Sequence, residues 1–205
     1  MEQKDKIREQ FIGLLAFEGW SQQALEKAVK NCGFEQSYAD IIYPGKIAEF
    51  TNEFIEECNS QALRTALNDD FKKLRTTQKV EEIIFQRINA YHSKLVTIDN
   101  VRKFTGYCTN PAHLARSFRN IYEFSSDVWY LLGDKSTDFS YYTKRASLSA
   151  IYTKSMLYSL SDKSDNLSQT RKFIQKSIDG LMKINKLKQK IGDIVNYPKL
   201  RTKRK

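Results

Sequence analysis

The sequence predicts an all-α protein, and three observations carry that reading. The 205 residues include only 8 Gly and 3 Pro, so few positions interrupt a helix. Apolar side chains recur at the three- and four-residue spacing of buried helical stripes along most of the chain. A composition of 40% hydrophobic and 12% aromatic residues can fill the core of one good-sized domain, or of a small domain leaning on a larger one.

The elements follow in order. Residues 5–19 carry Ile7, Phe11, Leu14, Leu15 and Phe17 close to one stripe. Ser21 suits the N-cap of a second helix, in which Ala24, Leu25, Ala28 and Val29 share a face before Gly33 can end it. A short helix over 35–43 stops at Pro44-Gly45, and a longer one over 46–67 places Ile47, Phe50, Phe54, Ile55 and Cys58 at helical spacing. Further helices are predicted near 77–95, 99–108, 111–132, 138–161, 168–182 and 184–196. Pro111 fits a first turn, Gly133-Asp134 an end, and Ser136 or Thr137 the next N-cap. The chain thus divides into a helix-turn-helix-like segment (1–70), a helical segment (71–183) and an amphipathic helix with a basic tail (184–205).

A helix-turn-helix invites a DNA reading, which the charges oppose. The net charge is +10, but residues 1–70 sum to −6, residues 71–179 to +8 and the last 26 residues to +8. No Lys or Arg lies from Asn31 through Gly45, where a recognition helix would meet phosphates. Three separated cysteines, Cys32, Cys58 and Cys108, cannot close a complete disulfide framework and fit a reducing compartment. The amino terminus shows no signal or transit peptide pattern. The apolar run FIGLLAF is far short of the roughly 20 residues that cross a bilayer, so a soluble or peripheral protein is expected.

Catalytic chemistry finds no foothold. His92 and His113 are isolated from each other and from other metal ligands. Glu56-Glu57, Asp69-Asp70 and Glu81-Glu82 are neighbours that diverge by about 100° on a helix. Cys108 has no evident activating base, and no phosphate-cradling or nucleophile motif occurs. The expectation is no catalytic residue, no metal and no cofactor.

Residues 137–152, TDFSYYTKRASLSAIY, crowd aromatics against small residues. On a helix Tyr141, Arg145, Leu148 and Tyr152 share one face, while Tyr142, Ala146, Ser149 and Thr153 form the next. Such a helix packs closely on another or lines a cavity for an elongated apolar ligand. Phe118, Tyr122, Phe124, Trp129 and Tyr130 add more apolar surface than one stripe needs. Near the carboxyl end, Leu181, Ile184, Leu187, Ile191, Ile194 and Val195 fall within about 140° of arc. Lys183, Lys186 and Lys190 border the opposite side, and RTKRK follows. This pattern suits either a membrane-surface helix or one docked on its own domain.

The run LGDKSTDFSYYTKRASLSAIY (132–152), with LSDKSDN (160–166) and TRKFIQKSI (170–178), resembles the carboxyl-terminal signature of the Coq-nine family of ubiquinone-biosynthesis proteins. GWSQQALEKAVKNCGF (19–34) is similar to that family's degenerate helix-turn-helix. The resemblance implies a TetR-regulator-like helical bundle, a pocket for an isoprenoid or other long-chain lipid, and a non-catalytic role. That role is presenting a polyprenyl quinone precursor to the di-iron demethoxyubiquinone hydroxylase. It places an aromatic patch at Tyr141 and Tyr142, where the first position is often Trp in the family, and matches Asp138 and Arg145 directly. Trp129, Leu148 and Tyr152 complete the candidate lipid or partner surface. The family's last helix implies membrane contact through Leu181, Lys183, Ile184, Lys186, Leu187, Lys190, Ile191 and Ile194. The missing transit peptide points to a bacterial-type member, cytoplasmic and peripheral on the inner membrane, and a homodimer is left open. The rival expectation is a TetR-type, ligand-responsive transcriptional regulator.

Overall fold

The computed structural model describes residues 2–35 and 37–195, with side chains for 3–35 and 37–183. Among the described residues all regular structure is helical: α1 (Glu2–Glu18), α2 (Gln22–Asn31), α3 (Tyr38–Ile42), α4 (Lys46–Arg64), α5 (Asp69–Lys73), α6 (Thr76–Leu95), α7 (Ile98–Thr109), α8 (Pro111–Leu131), α9 (Phe139–Ser159) and α10 (Ser168–Val195).

Caps explain most boundaries. Ser21 Oγ accepts from Ala24 N at 3.2 Å and starts α2. Gly33, at φ +84°, ends it in a left-handed turn that costs a glycine little. Thr97 and Asn110 cap α7 and α8, with Pro111 in the first turn of α8. Asp138, rather than Ser136 or Thr137, caps α9. Three other expectations change. α3 is shorter than 35–43. The helix of 46–67 ends at Arg64 in a single 3-10 turn, after which Asn68 caps the unforeseen α5, docked by the buried Phe71. The helices over 168–182 and 184–196 are one: no Pro or capping residue divides them, and Gly180 alone, at about 1 kcal/mol, does not stop a helix.

Ile7, Phe11 and Leu15 form the buried stripe of α1, whereas Phe17 turns to solvent at 90% exposure. Trp20 joins the first helices to the rest. Its ring packs on Phe11, Phe50, Phe54 and Phe104 with centroids 4.9–5.9 Å apart, and its indole N–H donates to Thr51 Oγ1 at 2.8 Å. One buried cluster runs from Ile7 on α1 to Ile178 on α10, across the expected boundary near residue 70. α8 and α9 pack as a hairpin; α9 and α6 both receive α10.

Candidate functional site: the α8–α9 hairpin and its cavity

The turn between α8 and α9 is built on charge. Gly133, at φ +76°, turns the chain out of α8 and delivers Asp134 to a nearly closed site. Asp134 accepts from Lys144 Nζ at 2.6 Å, Ser136 Oγ at 2.7 Å and Arg145 Nη1 at 3.3 Å. Burial pushes its pKa up, but the bonds from Lys144 and Ser136 prevail and hold it at about 2. Arg145 is 4% exposed; it also donates to Ser126 Oγ and to the Tyr141 carbonyl, and lies 3.4 Å from the Tyr141 ring centroid.

The same device recurs. Asp138 accepts from the backbone N–H and hydroxyl of Ser140, bonds that lower its pKa. Asp162 takes Ser164 on one carboxylate oxygen and Thr170 on the other, each through backbone and hydroxyl. Against the opposing effect of burial, these bonds bring Asp162 to about 2. Asp138 and Arg145, the most direct matches to the resembled signature, therefore act on the fold: one caps α9 and the other ties it to the preceding turn.

Behind this turn both readings of residues 137–152 have a place. Arg145, Leu148 and Tyr152 point inward and are buried, while Tyr141 is half-buried. The adjoining small-residue face, Ala146, Ser149, Ala150 and Thr153, floors an open groove walled by Phe118 and Tyr122 of α8 and by Leu157. Ser149 and Ser125 lie 2.9 Å apart across the hairpin. Beneath the groove is an almost wholly apolar cavity of ≈ 150 Å³, lined by side chains that include Tyr91, Phe104, Cys108, Ile121, Tyr152 and Met156. Phe118, Thr153 and Leu157 line both spaces, so the cavity and groove meet at one mouth.

The candidate residues do not form a single patch. Tyr152 belongs to this cavity. Trp129, Leu148 and Leu181 line a separate hollow of ≈ 300 Å³ with Val80, Ile178 and Met182. There the Lys144 ammonium sits 5.6 Å from the Trp129 ring centroid, and the indole N–H has no hydrogen-bond partner among the described residues. Tyr142 is 61% exposed and meets Tyr141 edge-on at 5.2 Å. It faces outward at the end of the hairpin where Phe139 and Tyr130 are also exposed, at 81% and 84%. Sequence reasoning did not single out Phe139; its place three residues before Tyr142, one turn away on α9, is the signal that could have found it. Sequence reasoning also passed over Arg87, a buried charge of α6 on the cavity wall.

Other candidates are soon placed. His92 meets Ser159 Oγ at 3.0 Å, and burial lowers its pKa; His113 stacks on Tyr107. Burial pushes the Cys108 thiol up to about 12, far from a thiolate nucleophile. Among the described residues no group of three or more His, Cys, Asp or Glu could hold a metal ion. Leu181 is half-buried against the core and Lys183 is exposed. The side chains of Ile184, Lys186, Leu187, Lys190, Ile191 and Ile194, and the tail, lie outside the described residues. No helix of the described residues is long and apolar enough to cross a membrane.

A helical bundle with a capped α2, a glycine turn, a short α3 and a hollow carboxyl-terminal half has the TetR-like fold. A TetR transcriptional regulator from Nitrosomonas europaea matches it with a TM-score of 0.69 over 87% of this chain and 97% of that one, at 14% identity, a likeness of fold alone. Within that class, residues 114–185 match the COQ9 family model. The probable ubiquinone biosynthesis protein coq9, mitochondrial, of Dictyostelium discoideum is 28% identical over 204 residues, covering 95% of this chain and 64% of that protein. The coq9 protein of Schizosaccharomyces pombe is 33% identical over 116 residues (57% and 45%), and human COQ9 25% over 170 (80% and 52%). The chain spans less than two thirds of the length of these relatives. All three are eukaryotic proteins with mitochondrial in their names, and the expectation of a bacterial-type member finds no support in them.

Proposed function

We propose that this protein is a non-catalytic, lipid-binding accessory protein of ubiquinone biosynthesis. The observation that carries the reading is the apolar cavity opening through Phe118, Thr153 and Leu157 into the α8–α9 groove. A long chain enters at that mouth and lies along the small-residue floor, where Ala146, Ser149, Ala150 and Thr153 leave room for it. The names of the relatives support a polyprenyl quinone precursor as the cargo. The exposed aromatics Tyr142, Phe139 and Tyr130 suit a protein partner, since aromatic anchors dominate such contacts. We assign that partner as the demethoxyubiquinone hydroxylase. The Lys-bordered apolar arc of 181–195 rests on an anionic membrane surface, each basic residue adding about 1 kcal/mol.

Native mass spectrometry of the purified protein should release a co-purified isoprenoid or other long-chain lipid; an empty protein indifferent to quinones and liposomes sinks the proposal. Truncation before residue 184 should abolish liposome flotation, and undiminished flotation assigns the membrane contact elsewhere. Operator binding is disfavoured by the bare α3, with Asp40 in its first turn; a gel shift at two salt concentrations tests it.

A further inference from the structure

Arg87 of α6 is 1% exposed and, among the described residues, forms no ion pair with a carboxylate. The guanidinium lies between two rings, 4.0 Å from the centroid of Phe124 and 4.2 Å from that of Tyr152. Its Nη2 donates to Tyr91 Oη at 3.4 Å, a long bond to a neutral group. Nε and Nη1 have no hydrogen-bond partner among the described residues. Burial pushes the phenols of Tyr91 and Tyr152 up and the thiols of Cys58 and Cys108 up to about 12, so none of these groups supplies the missing negative charge. Asp127, on the exposed side of α8, is near enough for the Arg87 charge to lower its pKa against the opposing effects of burial and Glu123, but the two form no ion pair.

A cation that stays protonated under all ordinary conditions is therefore buried without a carboxylate paired to it. Ring faces attract a cation, but they do not satisfy N–H donors at the guanidinium edge. The same side chain lines the apolar cavity under the α8–α9 groove. Apart from the Asn120 amide the rest of that lining is apolar or weakly polar, so Arg87 is the one charged side chain on the cavity wall.

We infer that the cavity takes a single-chain amphiphile ending in a carboxylate, bound head-inward, with the carboxylate on the free edge of Arg87 and the chain leaving past Phe118 and Leu157. A carboxylate supplies the charge and the paired acceptors that the guanidinium fork is shaped for. The hydrocarbon runs out into the groove floored by Ala150 and Thr153. This inference rests on the cavity being a ligand site, as proposed above, and gives it a carboxylate-headed occupant of a different class from the quinone precursor, so its failure leaves the quinone reading standing.

The test is calorimetric titration of the full chain with dodecanoate and with 1-dodecanol, which share a chain and differ in the head. Dodecanoate should bind at least about tenfold more tightly, the factor expected for one charge-assisted hydrogen bond. Arg87→Gln should remove that preference while leaving 1-dodecanol binding intact, and Arg87→Lys, which keeps the charge, should retain most of it. Equal binding of the two ligands by the unaltered protein, or a preference that survives Arg87→Gln, overturns the headgroup assignment and leaves the lipid cavity standing. Failure of both ligands to bind overturns the cavity reading itself. If Arg87→Gln does not fold, the comparison of the two ligands on the unaltered protein and on Arg87→Lys decides the matter alone.

Discussion

The two ends of this molecule use the same helical periodicity to different effect. In α1, α2 and α4 the stripes close completely on one another: Ile7, Phe11, Leu15, Leu25 and Phe54 are buried, and Trp20 fills the space among four aromatic rings. Around α8 and α9 comparable stripes stop short of closing. Small residues on α9 face outward, Phe118 and Leu157 stand at a rim, and a buried arginine occupies a place where the first half would have a Leu or Phe. Amphipathic spacing thus brings helices together, while side-chain volume and charge decide whether the interface is solid or hollow.

The largest expected effect breaks the solid half. Trp20→Ala should lower stability by about 3–5 kcal/mol, since it deletes a buried ring and the indole bond to Thr51. Phe118→Ala, at the hollow's rim and 58% exposed, should cost less than about 1 kcal/mol while weakening binding of long-chain ligands. Denaturant melts and lipid titrations of both variants check the contrast, and equal stability losses would erase it.

Next comes the charged turn that holds the hollow half together. Asp134→Asn strands the buried Arg145 and should destabilise the fold by about 3 kcal/mol, measured again by denaturant midpoint. Lys144→Met, which removes the more exposed partner, should cost less.

Acid should reach the two halves differently. Asp134 and Asp162 lie at about 2 in the folded chain, below the roughly 3.9 of an unfolded Asp. Their stabilisation is complete above about pH 4 and is lost as pH falls towards 2, because the unfolded chain then binds more protons. Hydrogen exchange as pH is lowered through that window should show the α8–α9 turn and the start of α10 opening before α2, which is bounded by Ser21 and Gly33 and carries no such carboxylate. Simultaneous opening would count against the Asp-x-Ser turns as the weak points.

The smallest effect is a gain. Val96 closes α6 at φ +66° with its side chain 76% exposed, so a β-branched residue is strained there without a packing return. Val96→Gly should raise the thermal midpoint by an amount equivalent to about 1 kcal/mol.

Much of this was legible in the sequence for local reasons. Ser21, Gly33, Asn110, Pro111 and Gly133 mark helix ends because capping is chemistry between near neighbours. The stripes of α1, α2 and α4, and the two faces of α9, follow from 3.6 residues per turn, with Phe17 as the exception. The signature around residues 132–152 was legible as a family resemblance, and the COQ9 match over 114–185 agrees with it.

Long-range arrangement was decided elsewhere. Nothing local says that Arg145 turns inward to Asp134, or that Trp129 and Tyr152 line different hollows. Nor does spacing reveal that Arg87, a charged residue in a predicted helix, is buried between the rings of Phe124 and Tyr152. Because helices and the faces they offer depend on neighbours along the chain, sequence alone determined most of them, α5 and the unbroken α10 being the exceptions. Only the tertiary structure decided which faces meet and where they leave space, because volume and charge balance are set by residues distant in sequence.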